Sequence, residues 1–550
     1  HIIFMPSEEA KPDGAEPKAE GEAKPDEAEP EAEGKAKPEE AKPKPAASRP
    51  PRRERRPPPR PHHIPLTLTQ RTEARENAKQ RLLARARREP EQARAALDLI
   101  DSGKSIVFGA RFRRAQTGGM DERGLRALRD LWEETLREEE RRIELAEVLR
   151  SHGALDEETT ARLRKASSIP LMEDLAAPHL PVRMGRATMA RGLGLEGLAE
   201  AIRNGDGATE LGELAQGFVK EDEEPKTLDA ALAGARDILA EEMSLDVNLR
   251  GRLREVFRKH AVLTVALGTG RKGDPGRHKN LVGFHAPATR VPPLKFLGIR
   301  RAEKDRVLLS TIEAPEDTVL SILHEHAAAS DHPHVGFLRA AMEDGYRRIL
   351  KPLYQAEIRG EMKQRADTLA METFERTLRH RLLGPVGGRR HVLGLRPDVQ
   401  QGHRWCAVDP GGLPTGSGQL PHEGTAGREA CITELREVLR TYEIEAVAVG
   451  SGASRAEALS LANEAVAGRD PVVPVAVVSD GGTHILEAQG KIEIERRPEV
   501  PAHCRGAFSL ARRFQDPLAE LVGIDPMAWA LGPHLHEVRQ GRLRRLLDET

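Results

Sequence analysis

RRHVLGLRP, at residues 389–397, begins the part of the chain whose pattern decides the fold, because its apolar run next to turn-forming residues is typical of a β-strand. Two more strand-like stretches follow it, HRWCAVDPGG (403–412) and SGQLP (417–421). Helix and strand then alternate: a helix from about Arg428 to Tyr442, an apolar strand at 446–449, a helix from about Ser454 to Ala467 and a strand from Pro471 to Val478. This order predicts three antiparallel strands followed by helix–strand units.

The later strands of this region are continuous apolar runs, which is expected of strands that helices cover on both faces. Three antiparallel strands followed by alternating helices and strands is the order of an RNase H-like α/β domain. We therefore assign residues 386–515 to a domain of this kind, with a mixed sheet at its centre.

Upstream, residues 66–385 carry a mostly helical pattern. Apolar residues recur at three- and four-residue steps in three long stretches, 125–149, 228–263 and 335–383. Asp121 precedes the first stretch as a candidate N-cap, and Pro352 lies inside the third, which it should break or kink. Residues 265–311 are rich in Gly, Pro and short β-like runs, which indicates an irregular insertion.

The first 65 residues form a charged tail. Residues 5–48 repeat Glu, Ala, Lys and Pro, and such a segment buries too little surface to offset the entropy of ordering, about 1–2 kcal/mol per residue. The charge becomes basic in SRPPRRERRPPPRPHH (48–63). Two interpretations fit this block: a basic arm for nucleic acid or an acidic partner, and a Pro-stiffened linker. We expect the tail to be disordered in either case.

Composition excludes several classes of protein. The 550 residues include 86 basic and 87 acidic side chains, so the formal charge of −1 gives no global field of the kind an obligate polyanion binder carries. Three widely spaced cysteines are too few for a disulfide framework, and no apolar run approaches the roughly 18 residues of a membrane span. With 11 Phe, 3 Trp and 3 Tyr, extensive base-stacking platforms are not expected. The chain is therefore expected to be soluble and cytoplasmic.

Three stretches resemble one protein family. FGARFRRAQTGGMDERGLRAL (108–128) is similar to a family segment with a TGG-[LM]-D-E turn, and residues 228–263 are similar to its ARDILAE-containing helical region. RGAFSLARRFQDPLAELVGIDP (505–526) is close to the family pattern RGA-S-ARR-QDPLAELV-IDP. On these motifs the chain resembles the Tex family of bacterial transcription accessory proteins, which are multi-domain nucleic-acid-binding factors.

The resemblance implies a multi-domain, mostly α fold. Its parts would be a disordered tail (1–65), a helical N-terminal and central region with a helix-turn-helix-like part (66–385), an α/β RNase H-like domain of the YqgF/RuvC type (386–515) and the start of a helix-hairpin-helix region (516–550). The family continues into a C-terminal OB-fold RNA-binding domain. The sequence reaches Thr550 soon after its GIDP motif, so we expect either a fragment or a shortened family member.

Phosphodiester cleavage by an RNase H-like domain needs three or four carboxylates that hold two divalent metal ions about 4 Å apart. Where the family has LGLDPG, this chain has Arg396, and Asp398 shares that strand's face only if the strand continues through Pro397. Glu457 resembles the glutamate of the family's GNGTASRE motif, and Asp480 replaces that of SEAG, where it could also cap the following helix. Because these positions depart from the acids of the family, comparison with the family pattern implies a degenerate domain with no catalytic residue, metal or cofactor.

Local clusters of basic residues offer phosphate contacts despite the near-zero net charge. The candidate nucleic-acid-binding residues are Arg111, Arg113, Arg114, Arg271, Lys272, Arg389, Arg390, Arg539, Arg542, Arg544 and Arg545. Without the OB-fold domain, we expect weak, salt-sensitive binding of RNA or DNA with little sequence preference.

These patterns and the resemblance together predict a non-enzymatic accessory protein of transcription. Its expected partners are nucleic acid and RNA polymerase or other components of transcription and translation, with no membrane. Two alternatives stay open: a protein–protein scaffold that does not bind nucleic acid, and a residual metal-dependent nuclease that uses Asp398, Glu457 and Asp480. Salt-dependent binding would exclude the first alternative, and Mg²⁺-dependent cleavage that is lost in Asp480→Ala would support the second.

Overall fold

The computed structural model describes most of the chain from residue 65 onward. The described ranges are 65–85, 89–180, 185–205, 210–219, 224–268, 275–329, 331–398, 402–421, 427–488 and 498–550. The predicted tail lies almost wholly outside them, as do the candidate residues Arg271 and Lys272.

The first part of the described chain is helical. Its helices are α1 (Leu68–Arg85), α2 (Pro90–Asp101), α3 (Ile106–Phe112), α4 (Glu122–Ser151), α5 (Glu157–Lys165), α6 (Ile169–Ala176), α7 (Arg186–Gly192), α8 (Glu196–Asn204), α9 (Leu211–Gln216), α10 (Leu228–Ser244) and α11 (Val247–His260). The predicted N-cap of α4 is confirmed, because the Asp121 carboxylate accepts a hydrogen bond from Gly124 N–H at 2.8 Å. Leu125, Leu128 and Trp132 of α4 pack against α1, α2 and α3.

A three-stranded antiparallel sheet occupies the segment for which the sequence predicted an irregular insertion. Its strands are β1 (Val262–Leu267), β2 (His285–Pro287) and β3 (Leu308–Glu313), in the order β2–β1–β3, and α12 (Pro293–Lys304) precedes β3. The prediction of an irregular segment is therefore wrong. These strands are too short to show a clear period, and Leu263, Val265 and Ile312 enter a core shared with helices distant in sequence.

Three helices complete the central part, α13 (Glu316–Ala327), α14 (Val335–Gly345) and α15 (Lys351–Leu382). A π-helical turn at Tyr346–Leu350 joins α14 to α15, and Pro352 lies in the first turn of α15. Proline has no N–H to donate and its ring crowds the preceding turn, so the regular α-helical ladder is interrupted as predicted. Neither α15 nor any other helix in the described ranges is long and apolar enough to cross a membrane.

The mixed α/β domain follows. Its elements are β4 (Val392–Arg396), β5 (Arg404–Val408), β6 (Pro414–Gln419), α16 (Arg428–Thr441), β7 (Ala446–Gly450), α17 (Arg455–Val466), β8 (Val475–Val478), α18 (Thr483–Ala488) and α19 (Arg505–Gln515). The strand order is β6–β5–β4–β7–β8; β5 pairs with β4 and β6 in antiparallel fashion, and β7 is parallel to β4 and β8. Helices α16 and α17 cover one face and α19 covers the other. The predicted mostly α fold with an RNase H-like α/β part is confirmed.

Glycines bring α19 close to the central strand β4. A Cβ at Gly394 would overlap the Ala507 carbonyl oxygen and lie 2.9 Å from the Ala511 nitrogen. A Cβ at Gly506, in the first turn of α19, would lie 2.8 Å from Arg396 Cδ. The two glycines therefore seat α19 against the end of β4, where an RNase H-like enzyme carries its first carboxylate.

The last described segment returns to the N-terminal helices. It contains α20 (Pro517–Leu521) and α21 (Gln540–Glu549). Trp529 is buried between them, and its indole N–H donates to the Ile524 carbonyl at 3.2 Å. Helix α21 lies along α4, where Glu549 pairs with Arg126 at 3.2 Å. Ion pairs thus join residues more than 400 positions apart in sequence.

Candidate functional site

Strand β4 ends at Arg396, and the structure gives this cation a half-buried partner. The Arg396 guanidinium donates to Glu487 Oε2 at 2.7 Å. Arg404, on the neighbouring strand β5, places its guanidinium 3.8 Å from the same oxygen. The end of the central strand therefore holds a cation paired with a carboxylate of α18, and a cation at this position repels metal ions.

Glu487 is a site residue that sequence reasoning missed. Burial raises the pKa of its carboxyl group, although Arg396 and Arg404 favour the ionised form. A usable signal was present: a cation at a buried strand end requires a counter-ion, and Glu487 is the first glutamate after β8.

Asp398 does not lie on the face of β4. The strand ends before Pro397, so the condition for Asp398 to share a strand face with position 396 is not met. Its carboxylate lies 3.3 Å from Arg404 Nη2, and its backbone N–H donates to His403 Nδ1 at 3.1 Å. Asp398 therefore contributes to the same network of acids and arginines.

Asp480 follows β8 and faces the end of β7. Its carboxylate accepts a hydrogen bond from Ser451 Oγ at 2.7 Å, and its backbone N–H donates to that oxygen at 3.2 Å. A Cβ at Gly450 would lie 2.9 Å from Pro397 Cδ and 3.6 Å from Asp480 Cβ, so the ends of three strands meet here. The Asp480 carbonyl accepts from Thr483 N–H at 3.1 Å in the turn before α18, whereas the Asp480 carboxylate, the group predicted to cap this helix, bonds to Ser451.

Two further arginines lie next to the turn that contains Asp480, and one of them, Arg513, holds it. Arg513 of α19 donates to the carbonyls of Ser479 at 2.6 Å and Gly481 at 2.9 Å. Arg381 of α15 donates to the Trp529 carbonyl at 3.1 Å. Burial lowers the pKa of Arg381, and the Asp480 carboxylate opposes that shift. Cations therefore surround the strand ends of this domain.

The fourth candidate, Glu457, is exposed on the first turn of α17. Within the described ranges, no group of three or more His, Cys, Asp or Glu side chains is arranged to hold a metal ion. The acids at the strand ends are instead bonded to arginines or to Ser451. These residues do not fit a two-metal centre, which needs several carboxylates that converge on the ions.

The basic candidates fall into groups with different surroundings. Arg111, Arg113 and Arg114 are exposed at the turn between α3 and α4, where Arg111 lies 3.8 Å from Glu122. Arg389 is exposed just before β4. Arg390 is half-buried, and its carbonyl accepts from the Gln515 side chain at 2.8 Å.

The C-terminal candidates lie near α4. Arg539, Arg542 and Arg545 line one cleft of about 770 Å³ between α4 and α21. Arg542 pairs with Asp130, Arg545 with Glu133 at 2.8 Å, and Arg544 lies 3.7 Å from Asp525. These arginines thus have carboxylate partners in the chain itself, which sequence spacing could not reveal.

Family models match three consecutive parts of the chain. A Tex-like protein N-terminal domain matches residues 76–150, a Tex central region-like model matches 206–374, and a Tex protein YqgF-like domain matches 390–515. The last match covers the α/β domain and its arginine-rich strand ends.

Curated relatives align with most of the chain. Protein tex of Bordetella pertussis is 32% identical over 473 residues, which are 83% of this chain and 60% of the relative. Transcriptional accessory protein Tex of Neisseria gonorrhoeae is 29% identical over 83% of this chain and 60% of its own length. S1 RNA-binding domain-containing protein 1 of Pongo abelii is 25% identical over 84% of this chain and 48% of the relative.

The chain thus spans about 60% of the length of its bacterial relatives. Within that span, the three family models follow one another in the order N-terminal, central and YqgF-like. The chain therefore belongs to the Tex-like family.

Proposed function

We propose that this protein is a Tex-like accessory factor of transcription that binds nucleic acid without cleaving it. Its N-terminal and central helices and its RNase H-like domain would act as a binding scaffold in the cytoplasm. The observation that carries the proposal is the Arg396–Glu487 ion pair at 2.7 Å. In this pair an arginine, neutralised by Glu487, stands at the position of the first metal-binding carboxylate.

The chemistry of the fold supports the absence of cleavage. Two-metal hydrolysis stabilises charge on the attacking and leaving oxygens through ions held by convergent carboxylates. Here Asp398 and Glu487 lie beside arginines, and Glu457 is exposed on a helix. We therefore propose that the former acid positions Arg396, Asp398, Glu457 and Asp480 now have structural roles.

Binding is supported by exposed cations and by the names of the relatives. Arg111, Arg113, Arg114 and Arg389 are exposed and can contact phosphates without reading sequence. One relative is named a transcriptional accessory protein, and another is named an S1 RNA-binding domain-containing protein. RNA polymerase or another component of transcription or translation is the protein partner we propose.

A protein–protein scaffold without nucleic-acid binding is the second candidate function. The observation that favours it is the pairing of Arg542 and Arg545 with acids of α4, which removes two arginines from the set available to phosphates. The Arg545–Glu133 pair is exposed, and such pairs are weak, so a polyanion could compete for Arg545 at low salt.

Titration with single-stranded RNA and duplex DNA at several salt concentrations tests the proposal. We expect the logarithm of the affinity to fall linearly with the logarithm of the salt concentration, by about 0.7 to 0.9 for each phosphate neutralised. The double variant Arg113→Gln/Arg114→Gln should lower the slope for single strands by about 1.4, because each arginine neutralises one phosphate.

The control variant Arg252→Gln/Arg258→Gln removes the same charge from α11, where both arginines already pair with glutamates. Its slope should match that of the unchanged protein. Absence of binding at low salt would contradict the proposal and favour the protein–protein scaffold.

A further inference from the structure

Helix α3 ends in an exposed aromatic side chain. Phe112 is 71% exposed, whereas every other aromatic residue in the described ranges is buried or half-buried. The centre of its ring lies 5.6 Å from the centre of the Phe108 ring, and Phe108 is half-buried. Single exposed apolar side chains are common on protein surfaces, so Phe112 gains its significance from the groups around it.

Basic side chains surround this aromatic pair. Lys104 Nζ lies 5.9 Å and Arg113 Cζ 5.5 Å from the centre of the Phe108 ring. Arg114 is exposed beside them, and in the described ranges neither Arg113 nor Arg114 has an ion-pair partner within 4.0 Å. These cations differ from Arg542 and Arg545 of α21, which pair with acids of α4.

The turn that carries these residues has a defined backbone. Gly118 and Gly119 adopt φ angles of +63° and +79°, which residues with a side chain rarely adopt. Gly119 N–H donates to the Arg114 carbonyl at 2.8 Å, and Asp121 then caps α4. The arrangement of aromatic and basic side chains is therefore held by α3, this turn and α4.

We propose that Phe112, with Lys104, Arg113 and Arg114, forms a binding site for single-stranded nucleic acid. A base would stack on the exposed face of Phe112 while the three cations contact neighbouring phosphates. Duplexes are disfavoured, because their base faces are already stacked. This site rests on the proposed function, and it specifies which residues bind nucleic acid and that the ligand is single-stranded.

Anisotropy titrations of the full chain with labelled oligouridylate, oligothymidylate and an abasic oligonucleotide of the same length test this site. In Phe112→Ala, affinity for both base-containing probes should fall about five- to one-hundred-fold, since stacking is lost. Affinity for the abasic probe should stay unchanged, because Phe112 carries no charge. Phe112→Trp should bind the base-containing probes at least as tightly as the unchanged protein.

Leu413→Ala is the matched control, since Leu413 is also an exposed apolar residue but lies in the α/β domain. It should bind all probes like the unchanged protein. If Phe112→Ala binds every probe normally, or loses the abasic probe equally, stacking at this site is overturned while the proposed function stands. If the unchanged protein binds no probe, both proposals fail.

Discussion

Replacing Gly394 with alanine is expected to destabilise the RNase H-like domain by about 3 kcal/mol or more, at the upper end of overpacking effects. The new Cβ would overlap the Ala507 carbonyl oxygen, a backbone atom that cannot rotate away. Helix α19 would have to leave the sheet, which would open the core between β4 and this helix. Urea unfolding followed by circular dichroism measures the change as a lower midpoint.

Gly251→Ala is the matched control for this prediction. Gly251 lies inside α11, and a Cβ there meets no atom within 4 Å. Alanine should raise the helix's stability by about 0.5–1 kcal/mol, because it loses less backbone entropy on folding. An unchanged urea midpoint in Gly394→Ala would show that α19 does not pack against β4 as described.

Replacing Asp174 with alanine is expected to lower the free energy of unfolding by about 3–5 kcal/mol. Asp174 is buried in α6 and lies 3.0 Å from Arg250 and 2.5 Å from Arg254, both buried in α11. Its removal leaves Arg250 without this counter-ion, while Arg254 keeps Glu357 at 2.8 Å. We expect a lower midpoint of urea unfolding, because Asp174 joins α6 to α11 through these two ion pairs.

An exposed ion pair provides the comparison. Arg258 and Glu361 lie 2.7 Å apart, and both side chains are more than 40% exposed. Glu361→Ala should therefore change stability by less than about 1 kcal/mol. Equal effects of Asp174→Ala and Glu361→Ala would contradict the buried position of Asp174.

The RNase H-like part of the fold was predictable because its signals are local. Apolar runs such as 446–449 can only be strands at that length, and the turn residues around them mark their ends. Asp121 and Pro352 also affect only the helix turn next to them. The start of α4 and the interruption before α15 could therefore be predicted from the sequence.

Features that depend on contacts between distant residues could not be predicted. The sheet at 262–313 shares its core with α11, which precedes it, and with helices that come later in the chain, so its short strands resemble an irregular segment when they are considered alone. Likewise, the pairing of Arg545 with Glu133 joins residues 412 positions apart, and no spacing rule reports it. A counter-ion for Arg396 could be expected from the sequence, but its identity as Glu487 depends on α18 lying beside the end of β4.

The exposed ring of Phe112 shows what the overall composition of the chain cannot predict. Scarce aromatic residues argue against extensive stacking platforms, and that expectation concerns the chain as a whole. One exposed ring beside unpaired cations is a local arrangement that average composition does not describe. The position of Phe112 at the end of α3 is what separates it from the buried phenylalanines of the core.

The central claim is that this protein binds nucleic acid and does not cut it, because Arg396, paired with Glu487, occupies the strand end where the first metal-binding carboxylate would lie. The most direct test incubates end-labelled single-stranded RNA and duplex DNA with saturating protein and Mg²⁺ or Mn²⁺, then measures bound and cleaved fractions on the same samples. We expect bound RNA that stays intact with either metal. Metal-dependent products that disappear in Asp480→Ala would contradict the claim and show a working nuclease.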